Sequence, residues 1–119
     1  MNVEELRAIC LNKKGVTEEF PFDEHTLVFK VMGKMFALIP LERIPPQCNL
    51  KCDPERAIEL REAHDGVITP GYHMSKKHWN TLFLEHLPPD LIHDLVNHSY
   101  NLVVAGLTKK LKNELDALP

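Results

Sequence analysis

Apolar residues along the chain alternate between a helical period near four and a strand period of two, and each switch marks a new element. Val3, Leu6, Ile9 and Cys10 recur at helical spacing, so residues 2–13 read as a helix. Asn2 is a good N-cap, Glu5 completes a capping-box pattern, and Gly15 ends the element. Residues 26–32 and 35–40 read as a hairpin around Gly33-Lys34, with Gly at the first central position of a type II′ turn. That register pairs Val31 with Phe36 and Phe29 with Leu38, placing these four on the core face. Val28, Lys30, Ala37 and Ile39 then share the other face.

Pro45-Pro46 interrupts the chain, and residues 47–52 alternate again as a strand with Cys48, Leu50 and Cys52 on one side. Asp53-Pro54 is a helix start, Asp as N-cap and Pro at the first helical position. This helix runs to about His64, and Gly66 suits its C-terminal end. Residues 67–69 suit a short strand, Pro70-Gly71 a turn, and residues 79–86 a further strand with Leu82 and Leu84 on one face. Pro88-Pro89-Asp90 opens the longest helix, whose stripe runs through Leu91, Ile92, Leu95, Val96, Ser99, Leu102 and Val103 to Gly106. Leu107, Leu111, Leu115 and Leu118 mark a last short helix, whose stripe packs more readily on its own domain than on a partner. Strands clustered between helices predict an α+β domain of two layers, one antiparallel sheet with helices on one face. The 119 residues suffice for one domain, spanning 1–119, with its own core.

Charge changes this picture more than composition does. The net charge is −3, which speaks against a general nucleic-acid binder. Its distribution is uneven: residues 25–52 carry four bases and one acid, whereas residues 1–24 and 53–66 are acidic. The positive charge therefore falls in strand segments, together with His25, His73, His78 and His86. The N-terminus lacks the basic start and apolar run of a secretory signal, and no stretch nears the ~18 apolar residues of a membrane helix, so a cytosolic protein is expected. Cys10, Cys48 and Cys52 are odd in number and sit in apolar patterns, which favours buried thiols over disulfides.

Three blocks carry a resemblance. They are Lys30-Val31-Met32-Gly33-Lys34-Met35-Phe36-Ala37, then Leu50-Lys51-Cys52-Asp53-Pro54-Glu55, and then Pro70-Gly71-Tyr72-His73-Met74-Ser75-Lys76-Lys77-His78-Trp79-Asn80, followed by Ser99-Tyr100. In this order and spacing the chain resembles the MmcQ/YjbR family of bacterial proteins, from about Leu6 to Leu111. The resemblance implies a CyaY-like fold and a DNA-binding role with a proposed double-wing arrangement. A dense acidic ridge for iron, as in frataxin-like proteins, is missing from the first helix, where Glu4 and Glu5 are mixed with Arg7, Lys13 and Lys14.

Candidate chemistry follows from the lysines. Lys30 and Lys51 project from one non-core side, Lys34 sits at the hairpin tip, Arg43 lies in the next loop, and Lys76, Lys77 and His78 precede the last strand beside Trp79. Such cations bind phosphate with salt-sensitive, sequence-independent affinity, and a hairpin can enter a groove as a wing. The plainer reading is that the lysines keep a sheet face soluble. Trp79 and Tyr72 suit base stacking, though a Trp so placed more often anchors a loop to the core. His73 with His78, and Cys48 with Cys52, lack zinc spacing, so no metal and no cofactor is expected. His93 reads as a helix-surface residue, and no catalytic motif stands out. The expectation is a non-catalytic protein whose partner is double-stranded DNA, a monomer or weak homodimer with no membrane association. The alternative is a protein-interaction or adaptor domain using exposed Val28, Ala37 and Ile39.

Overall fold

A computed structural model of the chain describes residues 1–71 and 74–119. Helices α1 (Val3–Leu11), α2 (Pro54–Ala63), α3 (Pro89–Ala105) and α4 (Lys109–Asp116) accompany strands β1 (Val16–Glu19), β2 (Thr26–Val31), β3 (Lys34–Pro40), β4 (Gln47–Lys51), β5 (Ile68–Pro70) and β6 (Trp79–Phe83). The strands form one antiparallel sheet in the order β1-β2-β3-β4-β6-β5, with β1 and β5 at its edges. The α+β architecture, one antiparallel sheet packed by helices on one face, is the one the periodicity predicts.

The caps do what the sequence implies. Asn2 accepts the Glu5 N–H (2.8 Å) and Asp53 the Arg56 N–H (3.2 Å), each satisfying an amide the helix cannot reach. Leu6 and Cys10 of α1, with Ile92, Leu95, Val96 and Val103 of α3, close over Leu27, Phe29, Val31, Phe36, Ile39, Cys48, Leu50 and Leu82. Leu107 and Leu115 join this core, while Leu118 stays 40% exposed. All three cysteines are free and buried. Burial raises the Cys10 thiol to about 12 and pushes Cys48 and Cys52 up as well, so these thiols are poor nucleophiles.

Two elements depart from the expectation. Residues 16–19 form an edge strand where none is predicted; with one apolar residue in four, β1 is held by pairing to β2 and by Glu18, which accepts from Arg7 Nε of α1 (2.7 Å). The segment 79–86 is a strand only to Phe83 and then a 3-10 turn over Leu84–His86.

The hairpin register also differs. Val31 pairs with Lys34, so the turn is Met32-Gly33, and both residues have positive φ (49° and 84°). That is the type I′ requirement, not type II′. A bulge opposite Phe29/Lys30 then inserts Phe36 as an extra residue. The alternation of side chains flips beyond it. Ala37 and Ile39, expected on the open face, are fully buried under the helices, and Leu38, expected in the core, lies on the open face. Val28 is on the open face as expected but is not exposed: it packs with Leu38 and Trp79 in a second, smaller cluster.

Candidate nucleic-acid interface

The register arranges the open face in three rows. The first holds Thr17, Lys30 and Met35 and, past the bulge, the Lys51–Trp79 pair, at the end of the sheet that carries the β2–β3 tip. The second runs Glu19, Val28, Leu38, Asn49, Thr81, Thr69, and the third contains Thr26, Pro40, Gln47 and Phe83. Lys30 on β2 and Lys51 on β4 stand two strands apart, about 10 Å, with β3 between them.

Three further lysines and a histidine gather at this first-row end. Lys34 is exposed at the hairpin tip. Lys76, Lys77 and His78 are exposed in the turn that leads into β6, whose first residue pairs with Lys51. Lys30 pairs with Glu19 (3.3 Å), but Lys34, Lys51, Lys76 and Lys77 form no ion pair with any described residue. Arg43 does not join them: it lies in the β3–β4 loop at the opposite end, about 20 Å away along β3. Trp79 is 8% exposed, an anchor beneath the basic turn and not a free stacking platform. Tyr72 and His73 lie outside the described residues.

Arg61, which no spacing singles out, and Ser99, which spacing marks only as part of the α3 stripe, hold this end together. Arg61 of α2 donates to Asn80 Oδ1 (2.7 Å) and to the Lys76 carbonyl, fastening the basic turn from below. Ser99 of α3 donates to the Phe36 carbonyl (2.5 Å) and accepts the Lys51 N–H (2.9 Å). It thereby satisfies the backbone groups that the bulge leaves unpaired between β3 and β4. Tyr100 beside it donates to the Lys14 carbonyl (2.6 Å) and meets Phe36 edge-on, ring centroids 5.5 Å apart. The carboxylate-rich α2 also anchors through α3: Arg56 reaches Asp94 (2.6 Å), and His98 Nε2 accepts the Asp53 N–H (3.1 Å). Burial and the nearby Arg56 hold His98 below its ordinary value, in the neutral form that this bond needs.

A cleft of about 430 Å³ runs across the open face from Met35 of the first row, past Leu38 and Asn49, to Gln47 of the third row and to Phe22 and Asp23 in the β1–β2 loop. Among the described residues no three His, Cys, Asp or Glu side chains gather around a common metal position, and no helix is long and apolar enough to cross a membrane.

Comparison with known proteins places this geometry. The YjbR family model matches residues 11–102. The Escherichia coli K12 protein YjbR is 34% identical over 116 residues, covering 97% of this chain and 98% of its own. YbdF of Escherichia coli O157:H7 is 42% identical over 92 residues, 76% of this chain and 75% of its own. Both are described as uncharacterized. The crystal structure of the Deinococcus radiodurans protein DR2400, a DUF419 domain, superposes with a TM-score of 0.91 at 44% identity, covering 99% of this chain and 89% of that one. A Pseudomonas syringae crystal structure superposes at 0.72 with 29% identity, over 86% of this chain and 98% of its own. Matched along most of its length in both sequence and fold, the chain belongs to the YjbR family.

Proposed function

We propose that this protein is a non-catalytic nucleic-acid-binding module that grips duplex DNA with the hairpin-tip end of its sheet. The observation that carries the reading is the convergence of Lys30, Lys34, Lys51, Lys76 and Lys77 at that end from three separate stretches of sequence. A net charge of −3 makes this local concentration of cations more telling, since the chain as a whole carries 17 acidic residues against 14 Lys and Arg. Lys34 at the tip meets a phosphate as a wing would, and Lys76 and Lys77 meet the backbone on the other side of Met35. Phosphate contacts of this kind position a duplex without reading its sequence, so selectivity is weak.

Duplex affinity measured by fluorescence anisotropy at several salt concentrations tests this. Each phosphate contact contributes about −0.9 to the slope of log K against log salt. A Lys34→Ala/Lys51→Ala/Lys76→Ala variant is expected to flatten the slope by about 3. An unchanged affinity and slope would exclude this end as the interface.

A second reading draws on the opposite end, where Phe20, Phe22, Leu41 and Ile44 are 49%, 64%, 43% and 93% exposed. Exposed apolar loops favour a protein partner. Ile44→Asp should abolish capture of a partner that survives nuclease treatment; capture that persists in that variant removes these loops from the contact.

A further inference from the structure

We infer that the cleft on the open sheet face receives one unpaired nucleobase of the strand whose phosphates lie on the lysine row. This rests on the nucleic-acid reading above. The cleft adjoins that row through Met35, which pairs with Lys30 and also lines the cleft. Its floor is Leu38 in the second row, one strand repeat or about 7 Å further on. A base attached to a phosphate held at Lys30 or Lys51 reaches that floor directly. The volume of about 430 Å³ lies within the range of about 300–1,000 Å³ typical of small-molecule sites.

The lining decides the chemistry. Met35, Leu38, Pro40 and Met74 are apolar or polarisable, and Phe22 is 64% exposed at the wall. Thioethers and an accessible phenyl ring suit the two faces of a flat heteroaromatic ring. One wall is polar: Asn49 and Gln47 are 9% and 7% exposed, two residues apart on β4. Asn49 uses its amide oxygen on the Thr81 hydroxyl (2.5 Å), and Gln47 uses its amide nitrogen on the Pro45 carbonyl (3.3 Å). A donor NH₂ and an acceptor oxygen remain, the pair that reads a base edge.

Charge gives an anionic occupant no advantage. Asp23 at the rim accepts the His25 and Thr26 N–H groups (2.8 and 2.7 Å), which hold its carboxyl below the usual range and keep it ionised. Set against Arg43 on the same rim, it leaves the cleft near neutral, while the adjoining row offers Lys51, in no ion pair with a described residue, and Lys30 beside Glu19. Phosphates therefore stay on the row and the uncharged base enters. A paired base has its edge occupied and its faces stacked, so only an unpaired one fits.

The test compares a short duplex carrying one unpaired 2-aminopurine with the same duplex fully paired. The unpaired form should bind about tenfold tighter, the lower end of what stacking on an aromatic supplies, with a change in 2-aminopurine fluorescence. Phe22→Ala, at an exposed position that does not endanger folding, should abolish the fluorescence change and bring the preference below about twofold. It should leave paired-duplex affinity and its salt slope unaltered. Equal binding of both duplexes with the salt slope intact would overturn the cleft assignment while the lysine reading stands. A preference that survives Phe22→Ala would also overturn it. If free 2-aminopurine riboside gives the Phe22-dependent signal and the unpaired duplex does not, the occupant is a free nucleoside and the strand assignment falls. Absence of salt-dependent binding to either duplex takes down both readings.

Discussion

The helix-covered face of the sheet is a continuous apolar layer, with Phe29, Phe36, Ile39, Leu50 and Leu82 packed against α1 and α3 and all but excluded from water. The opposite face divides into unlike parts: a cationic row, a small cluster of Val28, Leu38 and Trp79, and a cleft with two amides on its wall. The same strands build both. The difference teaches that burial alone does not identify the structural core here, because Leu38 and Ile39, neighbours in β3, are both buried yet serve opposite faces.

That pair offers the sharpest way to break the comparison. Ile39→Ala should cost about 4 kcal/mol, since the cavity it leaves is walled by helices. Leu38→Ala should cost about 2 kcal/mol, because the space opens to a cleft that water can enter. Urea unfolding midpoints of the two variants read this directly, and equal losses would mean that the open face is a second core.

Ser99→Ala comes next, at about 2–3 kcal/mol by the same measurement. It strands the Phe36 carbonyl and the Lys51 N–H together, two backbone groups in the protein interior. It should also weaken duplex binding, because Lys51 loses its fixed place; a loss of stability with DNA affinity intact would separate the two faces.

At the tip, Gly33→Ala meets no atom within 4 Å but must keep φ near +84°. The strain should cost about 1 kcal/mol, read as a shift in thermal midpoint.

The smallest effect is a pH dependence. His98 is held neutral in the fold, with a value below that of the unfolded chain, so the unfolded chain takes up the proton first as pH falls. The contribution is complete above about pH 6.5 and declines as pH drops toward the folded value. Stability should decrease slightly on acidification from about pH 7 to 5. His98→Gln, which keeps an acceptor for the Asp53 N–H, should remove this step from the stability profile.

Legibility in the sequence follows the range of the interactions involved. Asn2, Asp53-Pro54 and Pro88-Pro89 announce helices through contacts within a few residues, and those helices are found where expected. The hairpin is legible as a hairpin, but its register turns on Met32 adopting a positive φ and on Phe36 forming a bulge. Neither has a local signature: a non-glycine residue rarely takes that conformation, and the bulge is secured by Ser99, 63 residues away. One inserted residue was enough to exchange Ala37, Leu38 and Ile39 between faces. The cleft was out of reach for the same reason, since its floor depends on the parity beyond the bulge and its walls come from three loops. The lysines themselves were visible; that Arg43 belongs to the far end depends on which way β3 runs.

The borders of the sheet have a consequence for how copies of this protein meet. On one side stands a four-residue strand with Glu18 and Glu19 at its end; on the other, three residues closing on Pro70. A short charged border and a proline offer poor templates for strand addition. Edge-to-edge pairing of two copies is thereby disfavoured.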